Sequence, residues 1–198
     1  FRTMEKAWFM EEFITKNSKI MDQYDPEKQV ALIVDEWGGW YDTDPEGNGA
    51  LYQQNTMRDA MIAGMNLNIF NNHADRVKMA NLAQTVNVLQ AVILTDKEKM
   101  ILTPTYHVMN MYKVHQDATL IPLSFDSPMY TYNEESLPAL TVSASKDDNE
   151  KVHISFTNID TKNGTSISID LNELDVKNMT GSLLSSKNLQ DHNSFENP

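Results

Sequence analysis

The stretch QVALIVDEWGGWYD, residues 29–42, constrains this chain more than any other. Val30, Ala31, Leu32, Ile33 and Val34 run on without a polar interruption, the pattern of a strand buried on both faces of a parallel sheet. Such strands are covered by helices, and ligands gather at their carboxyl ends. Asp35 and Glu36 stand at that end, followed by Trp37, Trp40 and Tyr41. A carboxylate among aromatic rings suits a sugar site. By spacing alone it better suits a helix cap or a solvated loop, with the indoles closing the mouth of the sheet, since one carboxylate is a weak signal.

The flanking segments supply the helices. Over residues 2–22, Met4, Trp8, Phe9, Phe13, Ile14, Ile20 and Met21 predict an amphipathic helix whose stripe is core, stopped by Asp25-Pro26. Residues 53–72 predict a mostly buried helix, Val77 to Leu82 a second strand, and Thr103-Pro104 the capped start of another helix. Helix, strand, helix, strand, helix argues for a parallel sheet over residues 1–117. From Ala118 the period becomes two. Leu123 and Phe125, Leu140 and Val142, Val152 to Phe156, and Ile167 to Leu171 alternate with polar residues, predicting half-solvated antiparallel strands. Asp147-Asp148-Asn149 and Asn163-Gly164 read as their turns, so residues 118–198 are expected to form a β-sandwich.

Charge removes several partners. Lys and Arg total 16 against 28 Asp and Glu, and the net charge of -12 repels phosphate backbones and anionic membrane surfaces. Neither nucleic acid nor a membrane is an expected partner. The absence of cysteine excludes disulfides and thiolate metal sites and leaves the compartment open. The segment from Asp42 through Asp44, Glu46 and Gly47 echoes a calcium loop, but its twelfth position is Gln53 and Pro45 intrudes. His73 and Asp75 lack a third ligand and suit a helix-end hydrogen bond better than a metal. No metal and no cofactor is expected. Gln84, Asn87 and Gln90, three apart, suit either sugar hydroxyls or loop backbone. The chain opens on Phe1 in helical character, and is expected to be an internal piece of something longer.

Several segments together resemble the carboxyl-terminal half of glycoside hydrolase family 51 α-L-arabinofuranosidases. They are VDEWGGWYD, the run from LYQQNTMRDAM through RVKMANLAQTVNVLQAVILT, LTPTYHVMNMYKVHQDA, and GSLLSSKNLQDHNSFENP. The resemblance implies the last part of a TIM barrel followed by a jelly-roll-like β-sandwich, both incomplete here. It implies a retaining hydrolase that releases terminal arabinofuranosyl residues from plant polysaccharides or oligosaccharides. Glu36 matches the family's nucleophile, Trp40 an aromatic that shapes the sugar pocket, and Gln84 an amide that contacts sugar hydroxyls. The sequence departs from the family at Gly38-Gly39, where many relatives carry Asn-Val or similar.

Retention needs two carboxyl groups about 5 Å apart. By the resemblance, the partner of Glu36 belongs to an Asn-Glu motif upstream of Phe1. Asn133-Glu134, Asn149-Glu150 and Asn172-Glu173 fall in or beside the sandwich and do not replace it. The expected partners are therefore an arabinose-containing glycan and the remainder of the same polypeptide, or a second chain, completing the barrel. Hexamers, common among relatives, imply a homo-oligomer. Competing readings are an endoglucanase of the same family, a non-catalytic carbohydrate-binding piece, and a structural subunit.

Overall fold

The computed structural model describes residues 1–42, 51–171 and 176–198. Helix α1, Arg2–Met21, ends in the turn that Asp25-Pro26 dictates. Strand β1, Leu32–Trp37, is followed by helix α2, Met57–Asn72, and strand β2, Val77–Leu82, which pairs with β1 in parallel. Arg76 fastens these pieces. Its side chain is 1% exposed, donates to Asp25 Oδ2 at 2.6 Å and to the carbonyls of Val30 and Asp25 at 2.9 Å, and pairs with Asp22.

The parallel pair departs from expectation in its burial. Val34 and Trp37 are buried, whereas Ile33 is 46% exposed and Val30 lies outside the strand. The continuous run predicted cover on both faces. In this chain α2 covers one face, and the other looks across an open groove to α1, whose own stripe is split between buried Met4 and Ile14 and half-exposed Phe9 and Phe13.

Beyond β2, strands β3, Ile93–Asp96, and β4, Lys99–Leu102, form a hairpin. Helix α3, Pro104–Tyr112, starts as predicted, with Thr103 Oγ1 accepting from the Tyr106 amide at 3.4 Å. It continues as a 3-10 turn, Lys113–His115. Strands β5, Thr119–Leu120, β6, Met129–Tyr132, β7, Glu135–Pro138, β8, Leu140–Lys146, and β9, Val152–Asn158, follow. They form an antiparallel sheet β5-β8-β9 and a hairpin β6-β7. Leu123 to Phe125 and Ile167 to Leu171 are not strands. Alternation fits a pleat, but a strand also needs a neighbouring strand to form a ladder with, and among the described residues no strand pairs with either segment.

The polar half of the alternation differs from expectation as well. Thr141, Ser143 and Ser145 are buried, not solvated, because that face of β8 and β9 lies against the helices. Asn68 donates to Thr141 Oγ1 at 3.0 Å and accepts from Ser143 Oγ at 2.8 Å, while Asn71 donates to Ser143 Oγ at 3.0 Å and Asn72 to the Val142 carbonyl at 2.9 Å. His115 bridges the same face, with Nδ1 2.7 Å from Ser145 Oγ and Nε2 2.8 Å from Ser155 Oγ. Tyr112 donates to the Gly64 carbonyl at 3.1 Å and lies 3.2 Å from Thr157 Oγ1. The phenol, desolvated there, is pushed up to about 12.

A Cβ at Gly64 would stand 2.3 Å from Thr157 Oγ1. Gly64→Ala is therefore expected to destabilise the intact protein by about 1–3 kcal/mol, against a helix-propensity gain of roughly 1 kcal/mol. Adding Thr157→Ala should recover part of that loss in a double-mutant cycle measured by denaturant unfolding; strict additivity would contradict the contact.

Burial, and the charge of His153 nearby, lower the pKa of His115 to about 4 from an ordinary 6.5. The unfolded chain then binds the proton first. The stabilising neutral form is present above pH about 6.5 and is lost progressively as pH falls toward about 4. Asp147, which faces His153 at 2.9 Å, is held below the ordinary carboxylate range by that contact. His73, raised by its bond to Glu11, has the opposite pH dependence. Wild type is thus expected to lose more of its melting temperature between pH 7 and pH 4.5 than His115→Gln does, and parallel losses would refute the assignment.

Candidate active site at the strand ends

Strand register places the candidate carboxylates. Val34 pairs with Ala80 and Trp37 with Leu82, so β1 takes three steps where β2 takes two, and the extra residue falls at Asp35–Glu36. That is a β-bulge, and it re-aims side chains. In a regular pleat Glu36 would share the face of buried Val34. The bulge leaves both Asp35 and Glu36 exposed and returns Trp37 to the core, where its ring meets Phe70 edge-on at 5.3 Å.

Because β1 and β2 are parallel, their carboxyl ends lie together. The Ala83 amide donates to the Trp37 carbonyl at 3.2 Å, which sets Gln84 beside the end of β1. Glu36, Trp40 and Gln84 are all exposed at this end, Trp40 by 68%. Glu36 also lines the open groove of about 640 Å³ between α1 and β1, with Lys6, Phe9, Phe13 and Ile33.

The three amides predicted as a set divide. Asn87 exchanges hydrogen bonds with Thr95, accepting from its amide and donating to Oγ1, both at 2.8 Å. Gln90 is 1% exposed and donates from Nε2 to the Gly39 carbonyl at 2.8 Å and to Asp59 Oδ1 at 3.0 Å. These two serve structure; Gln84 keeps its side chain in solvent.

Gln53 fails as the twelfth position of a calcium loop. It binds the loop after β1 instead, donating to the Gly39 carbonyl at 2.8 Å and accepting from the Tyr41 amide at 3.1 Å. Arg58 lies 3.6 Å from the centre of the Tyr41 ring, and burial, with the charge of Asp59, pushes the Tyr41 phenol far up. Gly38-Gly39 was the available signal for these contacts, since paired glycines mark close approach by another side chain.

Most of the calcium-like loop, and Asn172-Glu173, lie outside the described residues. Among the described residues no group of three or more His, Asp or Glu is arranged to hold a metal ion. His73 contacts Glu11 at 2.8 Å and Asp75 pairs with Lys28. A hollow of about 270 Å³ between Trp8, Phe125 and Val142 lies elsewhere. The side chains of Glu11, Asn68, Asn72, Ser127 and Thr141 in its wall are already hydrogen-bonded within the protein.

The chain as a whole is similar to known proteins. The family described as α-L-arabinofuranosidase C-terminal domain matches residues 35–198. A Bacteroides ovatus protein named intracellular exo-α-L-arabinofuranosidase is 45% identical over 198 residues, which are 99% of this chain and 38% of that protein. A crystal structure of a family 51 arabinofuranosidase from Xanthomonas axonopodis pv. citri matches with a TM-score of 0.77 and 53% identity, over 80% of this chain and 32% of that one. A family 51 α-L-arabinofuranosidase from Bifidobacterium longum, at 24% identity, shares the fold with a TM-score of 0.80 over 97% of this chain and 41% of its own.

Substitution separates the free amide from the engaged one. Gln84→Ala is expected to change unfolding free energy by no more than about 0.5 kcal/mol. Gln90→Ala strips a partner from buried Asp59 and should cost about 1–3 kcal/mol in urea unfolding. Equal costs would contradict the geometry.

Proposed function

This chain belongs to glycoside hydrolase family 51, the α-L-arabinofuranosidases, and from that membership we propose that it is the nucleophile-bearing, carboxyl-terminal share of a retaining arabinofuranosidase. Residues 1–117 are assigned to the end of a TIM barrel and residues 118–198 to a jelly-roll-like sandwich. The proposed substrates are glycans with terminal, non-reducing α-L-arabinofuranosyl residues, in keeping with the exo-acting enzyme that the Bacteroides relative's name describes. The observation that supports the reading is the bulge, which leaves Glu36 exposed at the carboxyl end of a parallel strand.

In the proposed mechanism Glu36 attacks the anomeric carbon as the bond to the leaving oxygen breaks, giving a glycosyl ester on its carboxylate. A second carboxyl, supplied from outside these 198 residues, protonates the leaving oxygen and then takes the proton of the water that hydrolyses the ester. Gln84, exposed and with no side-chain hydrogen bond among the described residues, would hold sugar hydroxyls while positive charge builds at the anomeric centre. Trp40 offers an apolar wall to the ring. A stacking platform on the sandwich is less well supported, because Tyr130 and Tyr132 pack on Phe1 with ring centroids 5.6 and 5.7 Å away.

Glu36→Gln in the full-length enzyme is expected to lower kcat/KM on 4-nitrophenyl α-L-arabinofuranoside by on the order of 10³-fold or more without shifting the melting temperature. Unchanged turnover would dismiss Glu36 as the nucleophile.

A further inference from the structure

We propose that Gln90 is a positioning residue: together with Gln53 it clamps the Gly39 carbonyl and so fixes the indole of Trp40 at the sugar pocket. The inference rests on the reading of Trp40 as a pocket wall. Trp40 is 68% exposed, and its orientation depends on the backbone on either side of it. On one side the Gly39 carbonyl accepts from both Gln90 Nε2 and Gln53 Nε2, each at 2.8 Å. On the other the Tyr41 amide donates to Gln53 Oε1 at 3.1 Å, and the Tyr41 ring carries the Arg58 guanidinium. Gln90 is in turn held by Asp59, which is 0% exposed at the start of α2.

Gly38 completes the clamp. It sits at φ +124, and a Cβ there would stand 2.5 Å from Gln90 Cγ, so only glycine lets the glutamine lie across the loop. A wall touches the sugar in the ground state and the transition state alike. Loosening it therefore removes uniform binding, which appears in KM and not in kcat.

The test uses the full-length enzyme. Gln90→Met keeps the volume and deletes the donor. It is expected to raise KM for 4-nitrophenyl α-L-arabinofuranoside about tenfold, the worth of one hydrogen bond, with kcat within about threefold of wild type. Acrylamide should quench the Trp40 fluorescence more strongly, read as the difference from a Trp40→Phe background. Gly38→Ala, which displaces Gln90 from the other side, should give the same split.

Unchanged KM and unchanged quenching in a folded Gln90→Met enzyme would overturn the clamp, as would a fall in kcat at constant KM. Should Gln90→Met not fold, Gln53→Met answers the same question by the same two readouts, and a normal KM with normal quenching there overturns the proposal. Trp40→Ala separates the premises. If it leaves KM unmoved, the pocket-wall reading falls and the positioning role for catalysis falls with it, while a quenching change in Gln90→Met would still establish that Gln90 holds the loop.

Discussion

The sixteen residues of α2 must satisfy two sheets at once, and the rest of the chain is arranged around that demand. Phe70 meets Trp37 of the parallel pair, while Asn68, Asn71 and Asn72 bind the antiparallel sheet. An apolar face alone would let the second sheet slide, since hydrophobic contact is non-directional. The asparagines pair with hydroxyls and a carbonyl at fixed spacing on β8, so they set register as well as contact. Gly64 and Tyr112 tighten the same seam by bringing helix backbone within a hydroxyl's reach of β9.

The amino-terminal end of α2 governs the candidate site. Asp59 accepts from the Thr56 amide at 2.8 Å, which closes the helix start, and from Gln90, which reaches the loop after β1. A buried carboxylate is tolerable only when its oxygens are fully engaged, and here that requirement joins a helix cap to the loop holding Trp40.

The helix and strand order was legible because α1, α2, β1, β2 and α3 carry long apolar patterns and ordinary stops. Thr103-Pro104 in particular read directly as a capped helix start. Strands β8 and β9 were legible in position but not in orientation. Alternating Thr141, Ser143 and Ser145 look solvated in sequence, and it is the distant asparagines of α2, with His115 at Ser145, that make their burial affordable. Glu36, Trp40 and Gln84 could be read as strand-end residues because parallel strands collect their termini. The anchoring amides could not, since Gln53 and Gln90 act on a backbone carbonyl, which leaves no mark in the sequence beyond two glycines.

A strand's alternation of sides works like a reading frame, and the extra residue at Asp35–Glu36 shifts that frame within β1. Upstream of the shift the inward side is set by Val34, and downstream by Trp37. The identity of the side chains and their sidedness are thus encoded separately. A deletion of one residue within the bulge could spare Glu36 itself and still turn it toward the core, so transplanting this strand into another scaffold requires transplanting its irregularity as well.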